Sequence, residues 1–409
     1  MRRPDPALIV VLAGISAALH IGKLPPALPV LRESLHISLV QAGFLLSLVQ
    51  VAGMTLGLAM GALADAFGAR RTMALGLVLL SMASFAGGAA TSAPALMALR
   101  ALEGVGFLLA SLPAPGLIRR LVQPARLAGM LGLWGAYMPF GTAAALLLGP
   151  AFIAASGWPG WWWLLATLSC AMAVCLWLVV PAAADARVAG AGASLRGRIS
   201  RTLRSPGPWL ASTAFAVYSA QWLAVIGFLP TIYAQAGLPT AFVAVATALA
   251  AAANMIGNIG SGRLLQRGWR APVLLHCGYA AMALGAIVAF APWGAEGSTG
   301  VALVRYAGVL LFSALGGLVP GTLFSVAVRV APDEGSVSTT VGWLQQWSAF
   351  GQFAGPPLVA WAAARAGGWH VMGWITASFA LAGMGIALGI ARFLAGHATG
   401  RGPASQAAP

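Results

Sequence analysis

His20 and Lys23 stand three residues apart in SAALHIGKLPPALPVL (16–31), so a helix would carry both on one face. One offers a titratable imidazole, the other an ammonium. Lys23 is the only lysine among 23 basic residues, and it lies in otherwise apolar sequence. Arg100 and Glu103, in RALEGVG (100–106), repeat the spacing with opposite charges. Of the 8 carboxylates, Asp5, Glu33, Asp65, Asp185, Glu296, Asp333 and Glu334 fall in or near expected loops, which leaves Glu103 as the one acid clearly inside an apolar span. Guanidinium and ammonium groups suit a carboxylate or another oxyanion. An acid in an apolar span can take up and release a proton. Glu103 is therefore a proton-coupling candidate, with a structural pair to Arg100 as the alternative.

Arg305 opens an apolar span as Arg100 does, but it has no acid within one helical turn. For both arginines the choice is between facing a central cavity and reaching to the interface. Polar and aromatic residues at mid-depth of their spans complete an expected substrate set: Gln50, Tyr137, Tyr218, Gln221, Trp222, Gln346 and Trp347, together with His20, Lys23, Arg100 and Arg305. Interhelical hydrogen bonds or packing are the alternative for each neutral member. Catalysis fits poorly. The 5 histidines are scattered, and no nucleophile with its base and no clustered ligands are present, so no catalytic residue, metal or cofactor is expected and the chain is not read as an enzyme.

The elements that must hold these groups are membrane helices. Hydrophobic residues make up 60% of the 409 and charged residues 8%, far below the roughly 25% charged of soluble domains. A helix crosses the hydrocarbon core with about 20 apolar residues. Twelve such runs are expected, at 7–31, 39–63, 72–91, 95–117, 127–150, 161–181, 207–233, 240–262, 271–291, 300–326, 338–364 and 370–394. With the N-terminus in the cytoplasm, every basic residue except Lys23, Arg32, Arg100, Arg305 and Arg365 falls on the inner side, as the positive-inside rule requires. Trp158, Trp161, Trp162 and Trp163 in GWPGWWW (157–163) then mark the opposite interface. The net charge of +15 reports topology, and no nucleic-acid partner is expected. MRRPDPALIVVLAGISAALH is read as a retained first span rather than a cleaved signal peptide, because the alternation needs it. Cys170, Cys175 and Cys277 lie in expected spans without metal spacing.

Residues 182–206 break the run of short loops with Gly, Ala and Arg, and Leu195, Ile199 and Leu203 recur there every four residues among arginines. Either a surface-lying amphipathic helix or a solvated linker results. The expected organisation is a six-helix bundle at 1–181, a cytoplasmic basic linker at 182–206, a second six-helix bundle at 207–395 and a disordered tail at 396–409. The halves repeat: GKLP (22–25) matches GFLP (227–230), and Arg100 matches Arg305, both at an offset of 205 residues. GLWGAYMPFG (132–141) also matches GWLQQWSAFG (342–351). Duplicated bundles with a midplane site are a recurring plan of secondary carriers.

GALADAFGARR (61–71) resembles the loop signature of the major facilitator superfamily through Gly61, Leu63, Asp65, Gly68, Arg70 and Arg71. RALEGVG resembles the same superfamily's fourth-helix motif through Arg100, Gly104 and Gly106, and GAYMPFG (135–141) is a looser match to its fifth. GNIGSGRLLQRGWR (257–270) keeps the glycines and arginines without an Asp at the place of Asp65. With HIGKLPPALPVL at the start and GQFAGPPL (351–358) near the end, the chain is most similar to the cyanate-permease-like subgroup. The resemblance implies an all-α fold of twelve spans in two pseudo-repeats with both termini cytoplasmic. It implies a monomeric secondary transporter of a small solute, working by alternating access and open to proton coupling; the compact length and the Arg-for-Lys bias lead us to expect the inner membrane of a bacterium. Gly61, Asp65, Gly68, Arg70 and Arg71 would form a conformational gate. The basic residues point to an anionic solute; an exporter of drugs or metabolites is the alternative.

Overall fold

The computed structural model describes residues 5–58, 68–185, 195–294, 298–333 and 336–399. Gly61 and Asp65 lie outside these residues.

The described chain is helical, in the order α1 (Pro6–Gly22), α2 (Leu24–Ser34), α3 (Leu39–Leu58), α4 (Ala69–Gly88), α5 (Ala93–Ser111), α6 (Ala114–Leu121), α7 (Pro124–Gly135), α8 (Tyr137–Val179), α9 (Leu195–Arg204), α10 (Pro206–Gln235), α11 (Thr240–Gln266), α12 (Ala271–Phe290), α13 (Thr299–Gly316), α14 (Leu318–Val330), α15 (Val337–Ala366) and α16 (Val371–Thr399). α3 contains a 3-10 turn at Leu48–Gln50. α16 runs past the expected start of the tail at residue 396.

Local chemistry sets the boundaries. Asp5 caps α1 by accepting from the Ala7 amide at 3.0 Å, and Ser38 with Gln41 forms a reciprocal capping box on α3. In the 43-residue α8, Gly157 takes φ +70 and Pro159 follows. A straight helix of that length would reach about 64 Å, twice the hydrocarbon thickness. The break at Gly157 therefore turns one helical run into two stacked rods.

Among the described residues, ten helical segments are long and apolar enough to cross a membrane, with α1–α2, α5–α6 and α13–α14 each acting as one segment. α8 counts once despite its break. α15 is absent from the ten because Gln345, Gln346, Ser348 and Gln352 dilute its apolar content.

Lipid gives helices no hydrophobic reason to associate, so close packing and buried polar contacts hold them. α1 packs on α8 and α4 on α5 and α8; later in the chain α10 packs on α15, and α12 on α13 and α16. α2 with α10, α3 with α15 and α8 with α11 join the two sets. Gly104 is one point where a side chain has no room: a Cβ there would run into the Val49 backbone. That contact seats α5 on the 3-10 turn of α3, directly beside Arg100 and Glu103. The amphipathic segment after residue 194 is a helix, α9, and it docks on α10 and α15; Arg201 Nε reaches Asp333 Oδ2 at 2.8 Å.

Candidate functional site

Lys23 sits at the junction of α1 and α2 with helical dihedrals (φ −67, ψ −30). A proline-rich run such as LPPALP (24–29) would ordinarily break a helix. Instead Pro25 and Pro26 occupy the opening turn of α2, where a missing N–H costs nothing, so the backbone bends at Lys23 and continues as helix. Lys23 is fully buried. It contacts Glu103 Oε1 at 2.5 Å, Ser84 Oγ at 2.8 Å and His20 Nδ1 at 3.2 Å, and lies 4.6 Å from the Trp162 ring centre. An ammonium has three donors and no acceptor, so all three are used.

That geometry assigns the neighbouring protons. Since Lys23 can only donate, His20 Nδ1 accepts, and Nε2 carries the hydrogen given to Ser169 Oγ at 2.9 Å. Ser84 in turn donates to the Trp162 carbonyl at 3.1 Å. The Arg100–Glu103 pair is present: Arg100 Nη1 lies 2.7 Å from Glu103 Oε2. Nη1 also donates to the His20 carbonyl at 2.6 Å, and Nε to the Leu45 carbonyl at 3.3 Å. Arg100 Nη2 is buried and without a hydrogen-bond partner. One carboxylate thus serves two cations, each on its own oxygen. By formal charge, two cations against one carboxylate, the cluster holds one positive charge beyond neutrality in a region closed to water, where uncompensated charge is costly.

The helices after residue 206 hold a neutral network instead. Tyr218 and Asn254 exchange bonds at 2.9 and 3.2 Å, and Asn254 donates to the Ser313 carbonyl at 2.9 Å. Trp222 Nε1 reaches Ser313 Oγ at 3.4 Å. Ser219 and Ser348 meet at 2.7 Å, Gln352 donates to Ser348 at 3.4 Å, and Gln50 from α3 donates to Gln352 Oε1 at 3.0 Å. Gln346 accepts from the Leu58 amide at 3.1 Å and donates to the Met54 carbonyl at 2.8 Å, a second tie between α15 and α3. Gln221 is fully buried; it donates to the Val217 carbonyl, and its Oε1 has no partner.

Three expected members stand apart. Arg305 does not join Arg100 at a common site: its Nη2 folds back to the carbonyls of Trp293 at 3.0 Å and Ala291 at 3.5 Å, beyond the C-terminal end of α12. Helix C-termini attract cations and long side chains reach towards an interface, which accounts for the placement. Tyr137 stacks on Trp134 with ring centres 4.2 Å apart. Trp347 packs into Trp209, Trp343 and Phe350 at 5.4 to 5.9 Å. Their aromatic surface is used on neighbours rather than on the polar set.

Of the gate residues within the description, Gly68 has φ +97 just before α4, and Arg71 is exposed. Arg70 is buried, donates to the Trp177 carbonyl at 2.5 Å and lies 4.1 Å from the Trp177 ring, a contact to α8. Ser84, Ser169, Ser219 and Ser348 were missed as members. A serine in an apolar span carries no signal of its own; only the fold shows that it faces a charge.

The repeat makes the asymmetry concrete. At the offset of 205, His20, Lys23 and Glu103 correspond to Val225, Phe228 and Gly308. Phe228 packs on Trp369 at 5.0 Å where Lys23 lies over Trp162. The lysine's counterpart is an apolar side chain packed on a tryptophan, so the repeat does not itself require a cation there.

Long apolar helices with a charged cluster and hydrogen-bond networks in their shared interior define a polytopic membrane protein of the transporter class. The chain belongs to the Major Facilitator Superfamily, whose family model matches residues 7–356. Among solved structures it is similar to a bacterial homolog of the human lysosomal transporter Spinster. In the inward-facing, unoccupied crystal structure the identity is 16%, covering 97% of this chain and 99% of that one, with a TM-score of 0.71. The inward-facing, occupied structure gives 17%, 98%, 96% and 0.70. At that identity the likeness is one of fold. No curated protein matches the sequence.

Proposed function

We propose that this member of the superfamily moves a small anion, a carboxylate or a related oxyanion, by alternating access between two bundles, 1–181 and 207–395, joined by the linker at 182–206. The reading takes twelve crossings, counting α8 twice at Gly157 and including α15. It places the Arg-rich loops and both termini in the cytoplasm of a bacterium, with the chain as a monomer in the inner membrane. Assignment to the cyanate-permease-like subgroup is part of the proposal and rests on the terminal motifs quoted above.

The observation that carries it is the excess positive charge of the Lys23–Glu103–Arg100 cluster, with Arg100 Nη2 left without a partner. An anion arriving between α1, α3 and α5 would meet that nitrogen and bring the cluster to neutrality. Lys23 and His20 then act one step behind, holding Glu103 on the side away from the ligand. Gln50, Gln352, Gln346, Tyr218, Gln221 and Trp222 supply the neutral hydrogen bonds of the facing wall. Glu103, shared between Lys23 and Arg100, is kept in the same proposal as the proton-coupling candidate. The gating role of Gly61, Asp65, Gly68, Arg70 and Arg71 remains part of the same proposal.

The test is thermal stabilisation of the purified chain by a panel of small carboxylates and inorganic oxyanions, with lipophilic cations in parallel. A ligand at 100 times its Kd adds about 2.7 kcal/mol to the folded state. Anions should stabilise the wild type and fail on Arg100→Gln. Stabilisation by cations alone would overturn the anion reading in favour of an exporter of lipophilic compounds.

A further inference from the structure

At the Arg-rich end of the molecule, remote from the charged cluster, a groove of about 350 Å³ runs between α12 and α16. Its walls are Pro272, Val273, Cys277, Leu388 and Ala391, with Arg270 at its mouth and His276 on its flank. Val273, Cys277 and Leu388 are exposed, so the groove opens outward along the bundle surface. A polar solute has nothing to bind on such walls; a methylene chain does.

The mouth has the opposite character. Arg270 is the residue at which α12 begins, so its guanidinium lies beside a helix N-terminus that itself favours negative charge. Arg392 lies one turn beyond Leu388 on α16 and shares its side of the helix. Both arginines are exposed, and among the described residues neither has an acidic partner. His276 spends Nδ1 on the Pro272 carbonyl at 2.7 Å, so that nitrogen carries the hydrogen and Nε2 is left open. A guanidinium at a helix start and a second one turn beyond the groove's Leu388, next to apolar walls, match one occupant in both parts.

We infer that the groove between α12 and α16 is a binding site for an anionic phospholipid, its phosphate held by Arg270 and Arg392 and one acyl chain laid along Val273, Cys277 and Leu388. Basic pockets between membrane helices select acidic lipids in this way. The site does not depend on the transported solute.

The test uses the full-length chain in detergent and native mass spectrometry with phosphatidylglycerol, phosphatidylcholine of the same acyl chains, and inorganic phosphate. Phosphatidylglycerol should be retained well above phosphatidylcholine. Arg270→Gln and Arg392→Gln should each weaken it about five-fold, the worth of one basic residue near an acidic headgroup, with Arg270→Lys largely restoring the first. Leu388→Trp, which fills the groove, should weaken both lipids. Unfolding midpoints without added lipid identify any variant that is merely misfolded, and Cys277→Trp serves as the second groove-filling variant. Equal retention of the two lipids, or undiminished phosphatidylglycerol binding in the double arginine variant, would overturn the inference. So would competition by millimolar inorganic phosphate, which would mark an anion site without an acyl component.

Discussion

Replacing Glu103 with Gln removes the only carboxylate from a place where two cations converge, at 2.5 Å from Lys23 and 2.7 Å from Arg100. Breaking a buried pair by deleting one partner costs about 3–5 kcal/mol, and here two charges lose their counterion together, so a value near the top of that range is expected. Lys23→Met is different in kind. It leaves Glu103 and Arg100 as a one-to-one pair and removes the bonds to Ser84 and His20, each worth about 1 kcal/mol net. Relief of the surplus charge offsets part of that loss, giving about 1–2 kcal/mol in all. The two variants should therefore differ by about 3 kcal/mol, roughly a 100-fold change in the unfolding equilibrium. Unfolding in mixed detergent micelles titrated with dodecyl sulfate, followed by tryptophan fluorescence, reads the difference; Trp162 lies 4.6 Å from the ammonium and reports locally. If Lys23→Met proved as damaging as Glu103→Gln, the surplus-charge description of the cluster would be refuted.

Other outcomes follow from single contacts. Gln50→Leu strands the Gln352 amide and should cost about 1–2 kcal/mol, while the double change with Gln352→Leu should recover much of it; a double-mutant cycle checks this. Gly104→Ala should cost about 1–3 kcal/mol, because the added carbon meets the Val49 backbone, and the unfolding midpoint reports it. Arg305→Gln should leave anion stabilisation unchanged where Arg100→Gln abolishes it, since Arg305 lies away from the Lys23–Glu103 cluster with its Nη2 on the Ala291 and Trp293 carbonyls. The hydrogen bond from Arg126 lowers the Asp5 pKa from its ordinary value, so the bridge between the start of α1 and Arg126 is complete above about pH 4 and is lost as the pH falls through the lowered value. Acid-induced loosening should begin there, seen as hydrogen exchange rising first in residues 5–9, and both partners' exposure keeps the effect small.

What was legible in the sequence was what has a period or a fixed local spacing. Apolar runs gave the helices, and the three-residue step from Arg100 to Glu103 gave their ion pair. The Lys23–Glu103 contact spans 80 residues and depends on how α1 and α5 meet, which no local pattern encodes. Lys23 was rightly singled out as odd, but the side of the helix on which its partners lie was not readable. The repeat gave Arg305 a place equivalent to Arg100 but left open whether it faces a cavity or the interface, and the carbonyls beyond α12 are the partners it takes. Pro25 and Pro26 do not break the helix, because at the first turn of α2 each removes an N–H that has no use.

The most direct test of the central claim is solid-supported-membrane electrophysiology on proteoliposomes, with concentration jumps of small carboxylates and inorganic oxyanions at constant pH and then across a pH gradient. The account predicts a transient or proton-dependent current for at least one anion in the wild type, lost in Arg100→Gln and kept in Arg305→Gln. Currents evoked only by lipophilic cations, or anion currents that survive Arg100→Gln unchanged, would contradict it.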